Sequence, residues 1–559
     1  MGRRRLALAL LACVLLAAGG LRVAGGADKS GFTHDESISY LAAACHQGDY
    51  ARITVYAEPP FGRWVAASDW KALLRPDRAL CLGDISRDLA REDIHPPLYF
   101  WLLHGWTLAF GVGLWTGLSL NIVLATLTGL AVFGLARRVL GDPLAAVAVA
   151  GVWSFSPAAI RVFGEARQYE LLALLAVVFV WQCVRFADPP TRTPRRDAAG
   201  LAALAAAGAL AHFLFALVAV AGAGLLAVRL RRRERRLVAP GLASIAAGYA
   251  VFSLVHPQFL LSVRRGRAQA AESTADLVGG RAEATVETLA EFLVPPVVAT
   301  GAVGAVALGV LAGATAWAIV VALRSGGTRP AAASMPVVFV WLAAAHTALF
   351  LSFVSPPSGM DFKHLSALWP FAAFVPVLVV GSLPGRVRVP LGAVGAAALT
   401  TAATIAALGQ FPAAGQTPPR QLERTERLVL DNVARGVLPR IVWPLPDDAR
   451  VFAADQRHLL GHPGAWLNEL GPGTLYVGGL PPSDPRYGNS PALGRRVAGA
   501  ISGRHRLIRV PGRELGAGRV YRLGPAEAVA GAPRRRGSHG DAARVRAFLE
   551  RPEPRRAAR

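Results

Sequence analysis

Cysteine and lysine are scarce in this chain of 559 residues, and charged residues make up only 17% of it. The four cysteines are Cys13, Cys45, Cys81 and Cys183, and no two of them have C-x-x-C spacing, so a structural zinc or iron–sulfur site is not expected. The sequence also lacks a P-loop, a G-x-G-x-x-G fingerprint and an internal repeat. Hydrophobic residues account for 53% of the chain, a share typical of a membrane protein.

The basic residues are almost all arginine, and they give the chain a formal net charge of +24. They lie mostly between long Ala/Leu/Val runs or in the last residues of the chain. This placement indicates membrane topology and argues against a nucleic-acid partner.

Apolar runs long enough to cross about 30 Å of hydrocarbon define the predicted spans. We predict an α-helical polytopic membrane protein with about 11 transmembrane helices. The spans are approximately 6 to 24, 115 to 139, 143 to 160, 168 to 186, 199 to 212, 213 to 229, 237 to 255, 297 to 323, 334 to 354, 364 to 382 and 388 to 409. The fifth and sixth could form one bent helix, but the arginine bias favours two short spans that meet near His212.

The positive-inside rule places the N-terminus in the cytoplasm of a multi-pass plasma-membrane protein. With Arg3 to Arg5 inside, about 19 basic residues fall on the inner side and about seven in the outer short loops. The first run could instead be a secretory signal, which leaves the orientation unchanged. The aromatic segment from Leu98 to Phe110 is not counted as a span, because including it would invert every later loop.

Two large segments are predicted outside the membrane, and they set the domain boundaries. The transmembrane domain covers 1–409 and includes a first outer loop over 25–114 with juxtamembrane helices. Residues 410–530 are predicted to form a small extracytoplasmic α/β domain, and the Arg- and Pro-rich 531–559 a disordered tail. Strands are expected at 449 to 455, 474 to 480, 504 to 510 and 519 to 523, with helices near 457 to 470 and 492 to 502. Cys45 and Cys81 could form a disulfide, and two unpaired thiols are an equal alternative.

Polar residues that interrupt the apolar pattern collect on the predicted outer side. Asp35 and Glu36 follow the first span, and as helix neighbours they point about 100° apart, so they could serve different partners. Alternatively they are an acidic pair that favours the helix N-terminus. His95 precedes Pro96 and Pro97 and leads to Tyr99; the prolines favour a helix start.

Two further outer segments carry charge. One holds Glu165, Arg167 and Tyr169, and the other holds Lys363 and His364. Lysine occurs only at 29, 71 and 363, all in outward segments, so Lys363 is not part of a general basic surface. Alternatively, Lys363 is a cation at the end of a span whose side chain extends to the lipid headgroups. The loop at 256 to 296 adds three arginines that could grip a phosphate or contact headgroups, namely Arg264, Arg265 and Arg267.

These motifs in this order resemble membrane glycosyltransferases of the GT-C superfamily over about residues 1 to 409. They are similar to the bacterial relatives of dolichyl-phosphate-mannose protein mannosyltransferases and of the lipid A aminoarabinose transferase. The resemblance implies a GT-C fold and an inverting glycosyltransferase. Such an enzyme moves a sugar from a polyprenyl-phosphate carrier to an extracytoplasmic glycan, lipid or protein.

The resemblance also implies roles for residues. Asp35 matches the family's catalytic acidic residue and would deprotonate the acceptor hydroxyl, and Glu36 would orient the acceptor or a phosphate-binding cation. Arg167 and Lys363 would neutralise the leaving phosphate, with Arg264 and Arg267 as further phosphate contacts. The predicted substrate contacts are His95, Tyr99, Glu165, Tyr169, His212 and His364.

Some features of the chain depart from the family pattern or leave alternatives open. His364 stands where a Tyr usually follows the family's arginine, and His212 and His95 could be structural. No cofactor is predicted, although a divalent cation is possible. A transporter or flippase of lipid-linked sugars is the main alternative. A transporter would be expected to have charged residues in the middle of its spans and repeat symmetry, whereas this sequence has its charges at the outer span ends and no internal repeat. A scaffold with an inert membrane part is a third.

Overall fold

The computed structural model describes residues 2–187, 194–269, 275–324, 330–352, 361–413, 422–478, 489–510 and 519–525. The predicted disordered tail and residues 355–360 of the Lys363 loop lie outside these ranges. Two compact units divide the chain: unit 1 is Met1–Lys29 with Pro76–Ala414, and unit 2 is Ser30–Arg75 with Gly415–Arg559. Residues 30–75 of the first outer loop therefore group with the C-terminal segment.

Helices and strands are numbered in chain order across both units. The helices are α1 Gly2–Gly26, α2 His34–Ala43, α3 Gln47–Val55, α4 Ala67–Ala72, α5 Leu82–Glu92, α6 Leu98–Phe110, α7 Leu114–Leu140, α8 Pro143–Ser154, α9 Pro157–Val162, α10 Tyr169–Ala187, α11 Pro194–Ala211, α12 Phe215–Arg233, α13 Val238–Val255, α14 Phe259–Gln269, α15 Ala275–Ala290, α16 Gly301–Arg324, α17 Pro330–Ser352, α18 Trp369–Ala372, α19 Phe374–Gly381, α20 Gly385–Ala413, α21 Leu438–Val442, α22 Gln456–Gly461 and α23 Pro491–Ser502. The strands are β1 Trp64–Ala66, β2 Arg427–Leu430, β3 Arg450–Ala453, β4 Leu475–Gly478, β5 Arg506–Arg509 and β6 Arg519–Gly524.

Unit 1 is a bundle of helices, as a polytopic membrane protein requires. Within the described residues, seven helices are long and apolar enough to cross a membrane, namely α1, α7, α10, α13, α16, α17 and α20. The shorter α8 and the α18–α19 segment are also apolar. The structure has two separate helices near His212, as predicted, because α11 ends at Ala211 and α12 begins at Phe215.

Small residues bring these helices close together. Gly248 of α13 lies against α11, and a Cβ atom at this position would stand 2.4 Å from the carbonyl oxygen of Ala202. Glycine is therefore required at this crossing, as at many helix contacts in membranes. The large apolar core formed by the bundle includes the fully buried Trp153 and Trp369.

Unit 2 contains a six-stranded sheet in the order β1-β3-β2-β4-β6-β5. The central strand β2 is parallel to β3 and β4, and the remaining pairs are antiparallel. Strands β3 to β6 confirm the four predicted strands, whereas β1 and β2 were not predicted. Strand β1 comes from the first outer loop, and Trp64 pairs with Phe452 of β3.

A buried lysine also ties this part of the loop to the C-terminal segment within unit 2. Lys71 is 7% exposed, and its Nζ donates to the carbonyl oxygen of Leu445 and, at 2.7 Å, to the Asp447 carboxylate. The hydrogen bond from Lys71 and its positive charge hold the pKa of the Asp447 carboxyl below its usual value. The lysine at 71 is therefore a structural link within unit 2.

Candidate functional site

A buried asparagine organises the loop between α9 and α10 in unit 1. Asn121 lies in α7, where its amide nitrogen donates to the carbonyl oxygens of Phe163, at 3.1 Å, and of Glu165. The Tyr99 hydroxyl in α6 donates in turn to the Asn121 side-chain oxygen at 3.0 Å. Because non-helical backbone inside a bundle needs such partners, Tyr99 and Asn121 fix the loop over 163–168. The sequence analysis assigned Tyr99 to substrate and did not single out Asn121.

The loop meets the segment that carries Lys363. Lys363 Nζ lies 3.0 Å from a carboxylate oxygen of Glu165 and 3.7 Å from one of Asp361. The same ammonium group is 6.0 Å from the centre of the Tyr169 ring. The structure thus brings Glu165 and Tyr169, which belong to one predicted outer segment, together with Lys363, which belongs to another.

Arg167 lies on the same loop and is 5% exposed. Buried arginine is costly unless its surroundings compensate the charge, and such positions often serve anionic ligands. Glu165 and Asp361 are both already in contact with Lys363. The cluster thus contains two cations, Arg167 and Lys363, and two carboxylates, Glu165 and Asp361. Guanidinium and ammonium groups are common partners of phosphate oxygens in proteins.

Two histidines flank the Tyr169 ring. The ring centre of His212 lies 5.5 Å from that of Tyr169, and the ring centre of His364 lies 5.6 Å from it. His212 Nδ1 accepts from the Leu214 amide at 3.0 Å, and His364 Nδ1 accepts from the Asp361 amide at 3.2 Å. A ring nitrogen that accepts a backbone N–H carries no proton, so in neutral His212 and His364 the proton is on Nε2. Both imidazoles therefore offer a hydrogen-bond donor at Nε2.

His95 joins this group from the start of α6. The ring centre of His95 is 5.8 Å from that of His212, and His95 Nδ1 is 2.9 Å from the side-chain nitrogen Nε2 of Gln168. His95 Nε2 lies 3.7 Å from a carboxylate oxygen of Asp93. The contact with Gln168 connects His95 to the loop that carries Arg167, beyond the helix-start role that its prolines suggest.

A second ion pair supports the Lys363 segment. Arg161 of α9 forms a salt bridge with Glu291, and its guanidinium carbon lies 3.9 Å from the centre of the Phe362 ring. Burial raises the pKa of Glu291 to about 7, while Arg161 opposes that rise. Arg161 thus holds Phe362, the neighbour of Lys363, and the sequence analysis assigned no role to Arg161 or Glu291.

Of the remaining predicted site residues, Arg264 and Arg267 belong to unit 1, and Asp35 and Glu36 belong to unit 2. Arg264 is exposed on α14, which packs against α5, and the Arg267 side chain is outside the described part of the chain. Asp35 and Glu36 lie in the first turn of α2, in unit 2. Asp35 is half-buried, and Glu36 is fully buried.

Glu36 also caps its own helix. Its carboxylate accepts from the Thr33 amide at 2.9 Å, and the Thr33 hydroxyl accepts from the Glu36 amide at 3.1 Å. This reciprocal pair is a capping box, which satisfies two backbone donors at the start of α2. One carboxylate oxygen of Glu36 therefore has a structural role.

One family model matches part of the chain. Residues 94–258 match the family model described as dolichyl-phosphate-mannose-protein mannosyltransferase. This match covers less than half of the chain, and it includes the loop from Phe163 to Tyr169. A comparison with curated proteins gives no match.

Solved structures agree in fold. The chain is 13% identical to ArnT from Cupriavidus metallidurans in its undecaprenyl phosphate-bound form, with a TM-score of 0.52 over 94% of this chain and 99% of that chain. The apo form of ArnT gives 13% identity and a TM-score of 0.53 over 92% and 97% of the two chains. The apo oligosaccharyltransferase of Archaeoglobus fulgidus gives 12% identity and a TM-score of 0.42 over 80% and 64%. The chain therefore has the helical fold of ArnT, which is the GT-C fold.

The central role of Asn121 can be tested without an activity assay. Replacement by alanine (Asn121→Ala) removes one hydrogen bond each from the Phe163 carbonyl oxygen, the Glu165 carbonyl oxygen and the Tyr99 hydroxyl, while the Glu165 carbonyl oxygen keeps its bond from the Arg167 amide. We expect the opening free energy of the 163–168 loop to fall by about 1–3 kcal/mol, measured by hydrogen exchange of its amides. The control is Ser119→Ala, on the same helix, which removes the hydrogen bonds of Ser119 with Trp106 and with the Thr116 carbonyl oxygen, neither of which involves the loop. Equal exchange rates in the two variants would contradict the proposed role.

Proposed function

We propose that the chain is an inverting glycosyltransferase that moves a sugar from a polyprenyl-phosphate carrier to an extracytoplasmic acceptor. The observation that carries the proposal is the contact of Lys363 with Glu165, beside Tyr169 and on the loop that holds Arg167. Two findings support it: the GT-C fold shared with ArnT, whose solved structure binds undecaprenyl phosphate, and the mannosyltransferase family match over 94–258.

In the proposed reaction, an acceptor oxygen forms a bond to the anomeric carbon as the bond from that carbon to the phosphate oxygen breaks. Attack from the face opposite the leaving group inverts the anomeric carbon. Negative charge grows on the phosphate as it leaves, and Arg167 and Lys363 supply the positive charge that stabilises it. The acceptor proton passes to Asp35, the base that the family resemblance assigns.

Neutral donors complete the proposed substrate contacts. His212 and His364 each offer an Nε2 proton beside Tyr169. Phosphate and sugar oxygens accept such bonds, and an aromatic ring suits the apolar face of a sugar. His95, through its contact with Gln168, would place a third imidazole beside the same group.

The proposed setting is the plasma membrane, with the N-terminus inside and unit 2 on the outer side. This orientation rests on the bias of arginines between the loops. It puts the proposed carrier phosphate on the side where lipid-linked sugars meet extracytoplasmic acceptors. The acceptor would be a glycan, a lipid or a protein of the cell envelope.

Asp35→Asn tests the assignment of the base. Because the amide cannot take a proton from the acceptor, we expect turnover to fall by about 100- to 10,000-fold. The measurement is release of free polyprenyl phosphate from a panel of polyprenyl-phosphate sugars by reconstituted protein, with a cell-envelope extract as acceptor source. Asp28→Asn, at an exposed position nearby in sequence, is the control and should retain full activity. If wild type and Asp35→Asn bind the donor but both release nothing, transport becomes the next hypothesis.

Lys363 tests the phosphate contact separately from the base. Replacement by methionine (Lys363→Met) removes the charge, and we expect kcat/KM for the donor to fall by about 10- to 100-fold. Lys363→Arg keeps the charge and should retain most of that value. If Lys363→Met left kcat/KM unchanged, Lys363 would be only a membrane-surface cation.

His364 allows a test of which ring nitrogen matters. Glutamine can place an N–H near the position of Nε2, whereas asparagine can place an acceptor near the position of Nδ1. If His364 donates to substrate, His364→Gln should retain more turnover than His364→Asn, by about 10-fold. The reverse order would mean that His364 acts mainly by accepting from the Asp361 amide. Circular dichroism and melting temperature control for folding.

A further inference from the structure

A large apolar groove lies in unit 1, separate from the residues of the candidate site. Its volume is about 1080 Å³, and side chains of α1, α8, α16, α19 and α20 line it. Most of the lining is Val, Leu, Ala and Gly. Gly392, Gly395 and Ala396 of α20 have small side chains, so this helix leaves room beside its neighbours.

The two ends of the groove differ in chemistry. Asp142 precedes α8 and Phe155 follows it, so these two lining residues mark opposite ends, about 18 Å apart. Gln410, near the end of α20, donates to the carbonyl oxygen of Arg161, which places the end of α20 beside α9 and the Phe155 end. Arg388, at the start of α20, therefore lies at the Asp142 end. The Asp142 end of the groove therefore carries the charged residues Asp142 and Arg388, and the opposite end carries the aromatic residues Phe155 and Phe292.

The charged end of the groove is not the end that lies toward the proposed carrier phosphate. Lys363 and Arg161 are joined through Phe362, and Arg161 is bonded to Gln410, so the candidate site lies toward the Phe155 end. A carrier phosphate held by Lys363 would thus sit away from Arg388. A lipid whose headgroup contacts Arg388 is a different molecule, which enters from the opposite side of the membrane.

We propose that the groove binds one zwitterionic phospholipid that carries a primary amine. Its phosphate contacts Arg388, its ammonium contacts Asp142, and its acyl chains lie along α8 and α20. The length of about 18 Å slightly exceeds half of a hydrocarbon core of about 30 Å, so one leaflet's acyl chain fits it. One cation and one anion at the same mouth complement an ammonium–phosphate headgroup better than an anionic one.

The charge of Asp142 can be removed without removing its role as a helix cap. Its carboxylate accepts from the Leu144 amide at 3.0 Å as the cap of α8. Asparagine caps helices as well as aspartate does, so Asp142→Asn removes the charge and keeps the cap. Arg388→Gln removes the cation, and Arg386→Gln, two residues away and outside the groove lining, is its matched control.

The test uses the full-length protein in nanodiscs of equal parts phosphatidylethanolamine and phosphatidylglycerol, followed by native mass spectrometry of the retained lipids. We expect wild type and Arg386→Gln to retain phosphatidylethanolamine about fivefold over phosphatidylglycerol. Asp142→Asn should abolish this preference, and Arg388→Gln should lower retention of both lipids about fivefold. Gly395→Leu, which fills the groove and leaves both charges, should also displace the lipid.

Three results would overturn the proposal. They are equal retention by Arg388→Gln and Arg386→Gln, a preference that Asp142→Asn does not change, and retention of a polyprenyl phosphate in place of a phospholipid. None of these readouts depends on sugar transfer. The lipid site and the proposed glycosyltransferase activity can therefore fail independently.

Discussion

The candidate site in unit 1 depends on the hydrogen bonds that Asn121 donates to the loop between α9 and α10. This loop must leave helical geometry inside an apolar bundle, where water cannot satisfy its carbonyl groups. The Asn121 side chain donates to the carbonyl oxygens of Phe163 and Glu165, and the Tyr99 hydroxyl orients the Asn121 side chain. Because these partners hold the backbone, the side chains of Glu165, Arg167 and Tyr169 can project from a fixed loop.

The charged and the neutral polar side chains around this loop have different roles. Lys363 and Arg167 bring positive charge, while the histidines at 212 and 364 are held as neutral donors by backbone amides. Arg161 lies behind Phe362 with its own carboxylate, Glu291, so its charge is compensated locally. Lys363 is likewise in contact with carboxylates, those of Glu165 and Asp361.

The class of fold follows from the sequence because long apolar runs and arginine-rich turns are strong, local signals. The break at His212 is an example, since the arginine bias favoured two helices over one bent helix there and the structure has two helices. Strand β1 escaped prediction because its three residues are too few to show alternation. Length does not explain why β2 was missed, since the predicted strands β3, β4 and β5 also have four residues each.

Individual contacts were harder to foresee than the fold. The motifs that carry Glu165 and Lys363 are almost 200 residues apart, and only the folded bundle shows that their side chains meet. Asn121 did leave a signal, because a lone amide in the apolar run at 115 to 139 needs partners in a membrane. Arg161 and Glu291 gave no comparable signal, since charged residues at span ends are common.

The position of β1 sets an order on the maturation of unit 2. Trp64–Ala66 pairs with Arg450–Ala453, so nearly 400 residues separate the two strands along the chain. A ribosome makes β1 long before its partner exists, and the last long apolar helix must be synthesised in between. The edge of the sheet therefore closes late, and residues 30–75 must remain soluble and unpaired with β3 while the bundle is inserted. A chain truncated before β3 would lack the partner of this strand altogether.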